Sequence, residues 1–338
     1  MSKKIRIKDV AAAAGVSSAL VSYVLNARHV DRINKDTAKK ITEIAKDLGY
    51  YPNQIAKSLK TRKTYTIGLM LGDIVNPFSH QIARIIEDEA KCYDYAVIAG
   101  SCDEDHERSK KLMETFVNRQ VDGFIIVAAS DTENQLAYLE ELDIPFVLID
   151  RYFPEKNFDY IVIDNYQAAY TAVSHLIEKG YQKIALVNYE TSLAHLKDRT
   201  LGYTQAIADS GRMHDEASIC SLSMQDNPQE TKNKIAQFIK NKNYDAIFAA
   251  TNTLGIETLK QFNQLHIRVP DDAAFVCFDE TDAVDLFYAK LTHIRQPMQA
   301  IGNLAVQRLI HKINHVYEPE PPYQVVLKSE FVINESSG

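Results

Sequence analysis

Seven side chains stand where a chain of alternating strands and helices exposes its chemistry. Asp73 and Phe78 follow the first apolar strand pattern, at 67–71, and Arg151 and Tyr152 follow the fourth, at 146–149. Asn252 follows the strand at 246–249, Asp279 the one ending at Phe278, and Arg199 opens a helix that carries Gly202 and Tyr203. In parallel sheets, solutes bind beyond the carboxyl ends of the strands, where connections diverge. Carboxylate, amide and guanidinium groups together match the adjacent hydroxyls of a sugar, and Phe78 or Tyr152 can cover an apolar ring face. Each residue also has a structural reading: an ion pair or loop cap for the polar members, a core position for Phe78 in its helix's first turn.

Residues for catalysis are not assembled in the same way. The run Cys102-Asp103-Glu104-Asp105-His106 superficially resembles a helicase box, but the chain has no G-x-x-x-x-G-K-[ST] loop to hold a triphosphate, so the run reads as a solvated acidic turn. G-x-S-x-G, H-E-x-x-H and G-x-G-x-x-G are likewise missing, and Asp271-Asp272 follow Pro270 in a turn. The ten histidines are scattered, with His175 on a helix pattern. The cysteines, Cys92, Cys102, Cys220 and Cys277, form no C-x-x-C pair and read as reduced thiols of a cytosolic protein. No enzyme, metal site or cofactor is expected.

At 338 residues, two or three packed units are expected, and the balance of 46% hydrophobic and 25% charged residues suits a soluble globular chain. The overall charge of −7 hides an asymmetry. Residues 1–63 carry fourteen Lys/Arg against five Asp/Glu, a net +9, whereas the rest carries 24 against 40, a net −16. A basic head on an acidic body separates a part that binds polyanions from a part that repels them. The charged start from Lys3 lacks an apolar signal core, and no run approaches the length of a membrane span, so a cytoplasmic location is expected. Disorder is expected only at Glu335–Gly338.

The spacing within the head is specific. A short Ala-rich helix ends at Gly15, Ser17 is placed to cap the next helix, and Val21, Val24 and Leu25 form a stripe toward the first. This is helix-turn-helix patterning, in which the second helix enters the major groove with its early residues at the base edges. A third helix opens at Asn34, carries Ala38, Ile41, Ile44, Ala45 and Leu48, and ends at Gly49. Beyond Pro52, Asn53 can cap a helix of about eight residues, which is marginal in isolation and so should form only against DNA and a partner subunit. Leu59, between Lys57 and Lys60, is an apolar wedge suited to a minor-groove base step.

In order, the motifs Lys8-Asp9-Val10-Ala11, Ala14-Gly15-Val16-Ser17, Val21-Ser22-Tyr23-Val24-Leu25-Asn26, Leu48-Gly49-Tyr50-Tyr51-Pro52-Asn53, Ala56-Lys57-Ser58-Leu59, Asn76-Pro77-Phe78, Val121-Asp122-Gly123, Ile149-Asp150-Arg151, Asp164-Asn165, His175-Leu176, Arg199-Thr200-Leu201-Gly202-Tyr203, Phe278-Asp279 and Leu291–Pro297 span nearly the whole chain. Together they resemble the lac-repressor/galactose-repressor family of bacterial transcription regulators. The resemblance implies a homodimer on a pseudo-palindromic operator, acting as a repressor, with the hinge helices prying open the central minor groove. It implies DNA contacts from Lys8, Ser17, Ser18, Ala19, Leu20, Ser22, Tyr23 and Asn26 in the head. From the hinge it adds Asn53, Ala56, Lys57, Leu59 and Lys60. It also implies an effector, expected to be a carbohydrate, held by Asp73, Phe78, Arg151, Tyr152, Arg199, Asn252 and Asp279. A nucleobase, a sugar phosphate or a partner protein would suit the same position. Leu20 and Tyr23 depart from the family's usual Thr and Arg; Tyr cannot pair bidentately with guanine, so a different operator is expected where it reaches, unless Tyr23 lies on phosphate or on the first helix. Thr253 replaces the usual Asp, and Cys277 the usual Gly.

The expected architecture is an all-α helix-turn-helix head (1–50), a hinge (51–63) and an α/β body (64–338) of two doubly wound parallel-sheet lobes of the periplasmic-binding-protein type. The first lobe is expected at about 64–162 and 292–322, the second at about 163–291 and 323–334. Two competing classes make other predictions. A transport-type solute-binding protein would carry a signal peptide and no head, and a sugar-processing α/β enzyme tethered to nucleic acid would need a catalytic cluster.

Overall fold

The computed structural model describes residues 5–25, 33–50, 63–212, 215–241, 244–280, 283–315 and 321–338. They fall into two units that divide after Thr64.

In the head, α1 (Ile7–Ala14) starts where Asp9 accepts a hydrogen bond from the Arg6 backbone N–H at 2.7 Å. It stops at Gly15, whose φ of 71° is left-handed and turns the chain sharply into α2 (Ser18–Leu25). Ser17 Oγ accepts from the Leu20 N–H, capping α2. Asn34 caps α3 (Lys35–Asp47) through the Asp36 and Thr37 N–H groups. Val10, Ala11, Ala14, Val21, Ile41 and Ala45 form the small core. Leu48, expected on the apolar stripe, lies beyond the end of α3 and is exposed.

The second unit alternates strand and helix. The first lobe takes β1 (Thr66–Leu71), α4 (Pro77–Lys91), β2 (Ala96–Ser101), α5 (His106–Asn118), β3 (Gly123–Ile126), α6 (Glu133–Glu141), β4 (Phe146–Ile149) and β5 (Tyr160–Ile163). The second takes α7 (Asn165–Glu178), β6 (Ile184–Glu190), α8 (Ala194–Asp209), β7 (Ile219–Ser223), α9 (Pro228–Asn241), β8 (Ala246–Ala249), α10 (Asn252–Leu265), β9 (Ala274–Phe278), α11 (Ala283–Leu286) and β10 (Thr292–Arg295). The long helix α12 (Met298–Asn314) then packs on α4 in the first lobe, followed by β11 (Gln324–Leu327) and β12 (Glu330–Val332). The sheets run β11-β5-β4-β3-β1-β2 and β12-β10-β9-β8-β6-β7, parallel throughout except where β12 meets β10. Near-continuous apolar strands such as β3, β4, β8 and β9 are buried on both faces, as a sheet flanked by helices requires.

The return of the chain between lobes differs from expectation. Thr292–Arg295, assigned above to the first lobe, pairs with β9 and buries Ile294 in the second sheet, so the crossing comes only at Gln296-Pro297. Conversely, Gln324–Leu327 pairs with β5 at the edge of the first sheet, so 323–327 belongs there and only β12 returns to the second. The chain end is also ordered by its small polar residues. Ser336 Oγ donates to the Phe275 carbonyl and accepts from the Thr292 N–H, while Ser337 Oγ meets both His175 Nε2 and Thr292 Oγ1 within 2.8 Å. Both serines are fully buried.

One close approach positions the site. α7 and α8 cross at Gly202, where a Cβ would lie 2.3 Å from the Tyr166 carbonyl oxygen. The bare backbone there lets α8 sit low enough to bury Arg199, one turn earlier. Among the described residues no single helix is long and apolar enough to cross a membrane.

Candidate functional site

The corresponding strands β4 and β9 each end in an aspartate with left-handed backbone, Asp150 at φ 65° and Asp279 at φ 69°. Asp adopts this conformation more readily than most residues with a side chain. Arg199 is coupled to both by charge: both carboxylates act on its guanidinium, and its own charge acts on Asp150. Its Nε donates to Asn165 Oδ1 (2.9 Å), its Nη1 to the Ala250 carbonyl (2.7 Å), and its planar head lies 3.5 Å from the centre of the Phe278 ring. A guanidinium held by two hydrogen bonds and a stacked ring has little freedom to follow a ligand. Its remaining nitrogen, Nη2, has no protein partner among the described residues.

Across the cleft, Arg151 forms a two-pronged ion pair with Glu104 (2.6 and 2.7 Å) and also donates to the Ala128 carbonyl. Its Nε is buried without a hydrogen-bond partner, in an ion pair with Asp150 Oδ2 at 3.7 Å. Gln296, at the crossing, donates to Asp279 Oδ1 at 2.7 Å, which leaves its own Oε1 buried and unpartnered. His195 Nδ1 is in the same condition. Burial, reinforced by the charges of Arg199 and Arg151, pushes the His195 pKa well below the usual histidine value, so its ring is neutral. Burial outweighs the two arginines at Asp150, whose carboxyl is pushed up to about 6.

These groups surround a cavity of about 300 Å³ between the lobes. Of the residues singled out in the sequence, Asp73, Phe78, Arg151, Arg199, Asn252 and Asp279 line it. Tyr152 does not: its ring packs on Tyr160 and its hydroxyl donates to Asp198 Oδ2 of the opposite lobe at 3.2 Å. Asn252 also spans the lobes, donating from Nδ2 to Asn76 Oδ1 (2.9 Å). Further cross-lobe contacts join Ser130 to Thr191 and Ser192 to Asp131.

Several lining residues were not picked out in the sequence. Asp150 occupies the same strand-end position as Asp279 and was legible by that rule. Glu104 lay in a run read as a solvated turn; it is the partner that neutralises Arg151, and Cys102 beside it is buried. His195, which comes to the cleft from a helix start, gave no local signal, and Gln296, at the crossover, was marked only by the Leu291–Pro297 motif.

In the head, Lys8, Ser17, Ser18 and Ala19 are exposed, Ser22 is half-buried, and Tyr23 is 44% exposed. Leu20 is half-buried against the head's own core, which limits what it can offer a base. Asn26, Asn53, Ala56, Lys57, Leu59 and Lys60 lie outside the described residues. Among the described residues no group of three or more His, Cys, Asp or Glu side chains could hold a metal ion.

Residues 64–329 match the family described as periplasmic binding proteins and sugar binding domain of LacI family, and residues 6–53 match bacterial regulatory proteins, lacI family. The chain belongs to the LacI family. This LacI-family chain is 34% identical over 333 residues to the HTH-type transcriptional regulator RegA of Clostridium saccharobutylicum, covering 98% of both chains. Its fold is that of the lac repressor dimer bound to operator and the anti-inducer ONPF, with a TM-score of 0.85, 20% identity and 99% of each chain covered. A LacI-type regulator from Alkaliphilus metalliredigens QYMF, complexed with D-xylulofuranose, is 25% identical, with a TM-score of 0.71 over 80% of this chain and 98% of that one. The LacI-family chain is thus a DNA-binding transcriptional regulator with a sugar-binding domain, and not an enzyme.

Proposed function

We propose that this regulator is a cytoplasmic repressor that binds a pseudo-palindromic operator as a homodimer and changes its grip when a free sugar occupies the inter-lobe cleft. The observation that carries the reading is the immobilised Arg199, which lines with Asp150 and Asp279 a cavity bridged by cross-lobe hydrogen bonds. Arg199 and Asn252 donate to sugar hydroxyls, Asp279 and Asp73 accept from them, and Phe78 covers the apolar ring face. The D-xylulofuranose complex of the Alkaliphilus relative supports the carbohydrate class.

In the same reading, residues 1–50 enter the major groove with Lys8, Ser17, Ser18, Ala19, Ser22, Tyr23 and Asn26 at the DNA. Residues 51–63 form the hinge, with Asn53, Ala56, Lys57 and Lys60 on the backbone and Leu59 as the wedge. Residues 64–338 hold the effector and the partner subunit.

The test is a gel shift with fragments of the source genome, with and without a panel of free sugars. The expected result is tight binding to a small set of fragments, changed by one sugar. Uniform weak binding to every duplex, or tight binding that survives deletion of residues 1–62, would overturn the proposal.

A further inference from the structure

Five carboxylates line the cleft, those of Asp73, Asp103, Glu104, Asp150 and Asp279, against two guanidinium groups, Arg151 and Arg199; Asp103 is also paired with Arg108. Neither cation offers an anion a two-pronged site. Arg151 is clamped by Glu104 on two nitrogens, and Arg199 is fixed by Asn165, Ala250 and the Phe278 ring, which leaves only its Nη2 to meet a ligand. The histidine of the lining, His195, is 4% exposed and kept neutral by burial, reinforced by both arginines.

The unpartnered atoms carry the same message. Gln296 Oε1 is a buried acceptor and Arg151 Nε a buried donor, each without a hydrogen-bond partner. A hydroxyl can donate to the acceptor and accept from the donor, whereas a phosphate dianion only accepts.

Resting on the sugar reading above, we infer that the cleft selects by charge: it takes an uncharged, hydroxyl-rich solute and excludes the phosphate ester of that same solute. A phosphoryl group brought into the cleft meets a carboxylate majority in a partly desolvated space, where like charges repel more strongly than in water. Glu104 is the residue that sets this preference, because it occupies the guanidinium that would otherwise receive the phosphate in a two-pronged bond.

The experiment is calorimetric titration of the full-length protein with matched pairs: glucose and glucose 6-phosphate, fructose and fructose 1,6-bisphosphate, ribose and ribose 5-phosphate, cellobiose and its 6-phosphate. The expected result is that any member that binds is neutral, with its ester at least tenfold weaker, equivalent to about 1.4 kcal/mol. Glu104→Gln should narrow that gap by freeing Arg151. Asp73→Asn, at a more exposed position that leaves the ion pair intact, should narrow it in the same direction. An ester that binds as tightly as its parent overturns the charge inference and leaves the sugar reading standing. If no sugar of either kind binds while an unrelated solute such as a nucleobase does, the sugar reading fails and this inference fails with it.

Discussion

Asp150 sits at the end of β4, buried between Arg151 and Arg199, and its carboxyl is pushed up from the ordinary 3.8 to about 6 because burial outweighs both cations. A folded-state value above the unfolded one means that the folded protein holds the extra proton between about pH 4 and pH 6. Stability linked to this group is therefore full below the lower value and declines as pH rises through the upper one. Asp150→Asn keeps a side chain that tolerates left-handed backbone and removes the buried charge. The expected outcome is a variant more stable than the parent at pH 7.5, by no more than about 3 kcal/mol at 1.36 kcal/mol per pH unit. The advantage should fade by pH 4, and thermal melts at the two pH values check it. Tyr23 supplies the second prediction at this scale. It is exposed on α2 where relatives of this family usually carry Arg, so Tyr23→Ala should broaden the preference at one base pair per half-site in binding-site selection. An unchanged preference would place Tyr23 on phosphate instead. Residues of both kinds were legible in the sequence for the same reason: a strand end or an early recognition-helix position fixes where a side chain goes. Glu104 and His195 were not, because their roles arise from what faces them across the cleft.

The elements that the sequence revealed were those with an unambiguous period or cap. The apolar β1, β4 and β8 fall within a residue or so of their expected ends, and Gly15, Ser17 and Asn34 perform the turns and caps their types suggest. The elements it concealed are at the sheet margins. Ile219–Ser223 carries polar residues, Gln324–Leu327 is only half-buried, and Glu330–Val332 spans a single antiparallel bridge region. An edge strand is half wetted and loses the apolar run that identifies a central one. The crossing of α7 and α8 belongs to this scale too, since nothing but Gly fits at position 202 against the Tyr166 carbonyl. Gly202→Ala should force the two helices apart and lower stability by about 1–3 kcal/mol, as overpacking in a close-packed core does. The measurement is the urea midpoint of the full chain. Because Arg199 rides on α8, the same variant should also weaken sugar binding, whereas an unchanged midpoint would mean that the helices give way freely.

At the scale of the whole molecule, a few polar contacts bridge the two lobes of the second unit: Tyr152 to Asp198, Asn252 to Asn76, Ser130 to Thr191 and Ser192 to Asp131. Each neutral hydrogen bond nets only about 0.5–1.5 kcal/mol, with bonds to a charged group such as Asp198 somewhat more. Contacts of this size across the cleft are weak enough for a solute to tip, and each lobe has its own sheet to move on, while one apolar cluster takes residues from both lobes. Tyr152 is informative here because it stands outside the cavity. Tyr152→Phe keeps the ring on Tyr160 and removes only the hydroxyl that reaches Asp198. If the closed form is the one that binds, apparent affinity scales with the fraction of molecules able to close. Losing about 1 kcal/mol of latch should then weaken sugar binding roughly fivefold. Asn76→Ala, which removes the partner of Asn252, should add to it, since the two contacts lie on different elements. Calorimetric titration gives the affinities, and small-angle scattering of the sugar-free variants should show a more expanded body. If Tyr152→Phe binds the sugar as the parent does while Arg199→Ala does not, the cleft recognises its ligand without any contribution from closure, and the cross-lobe contacts are packing alone.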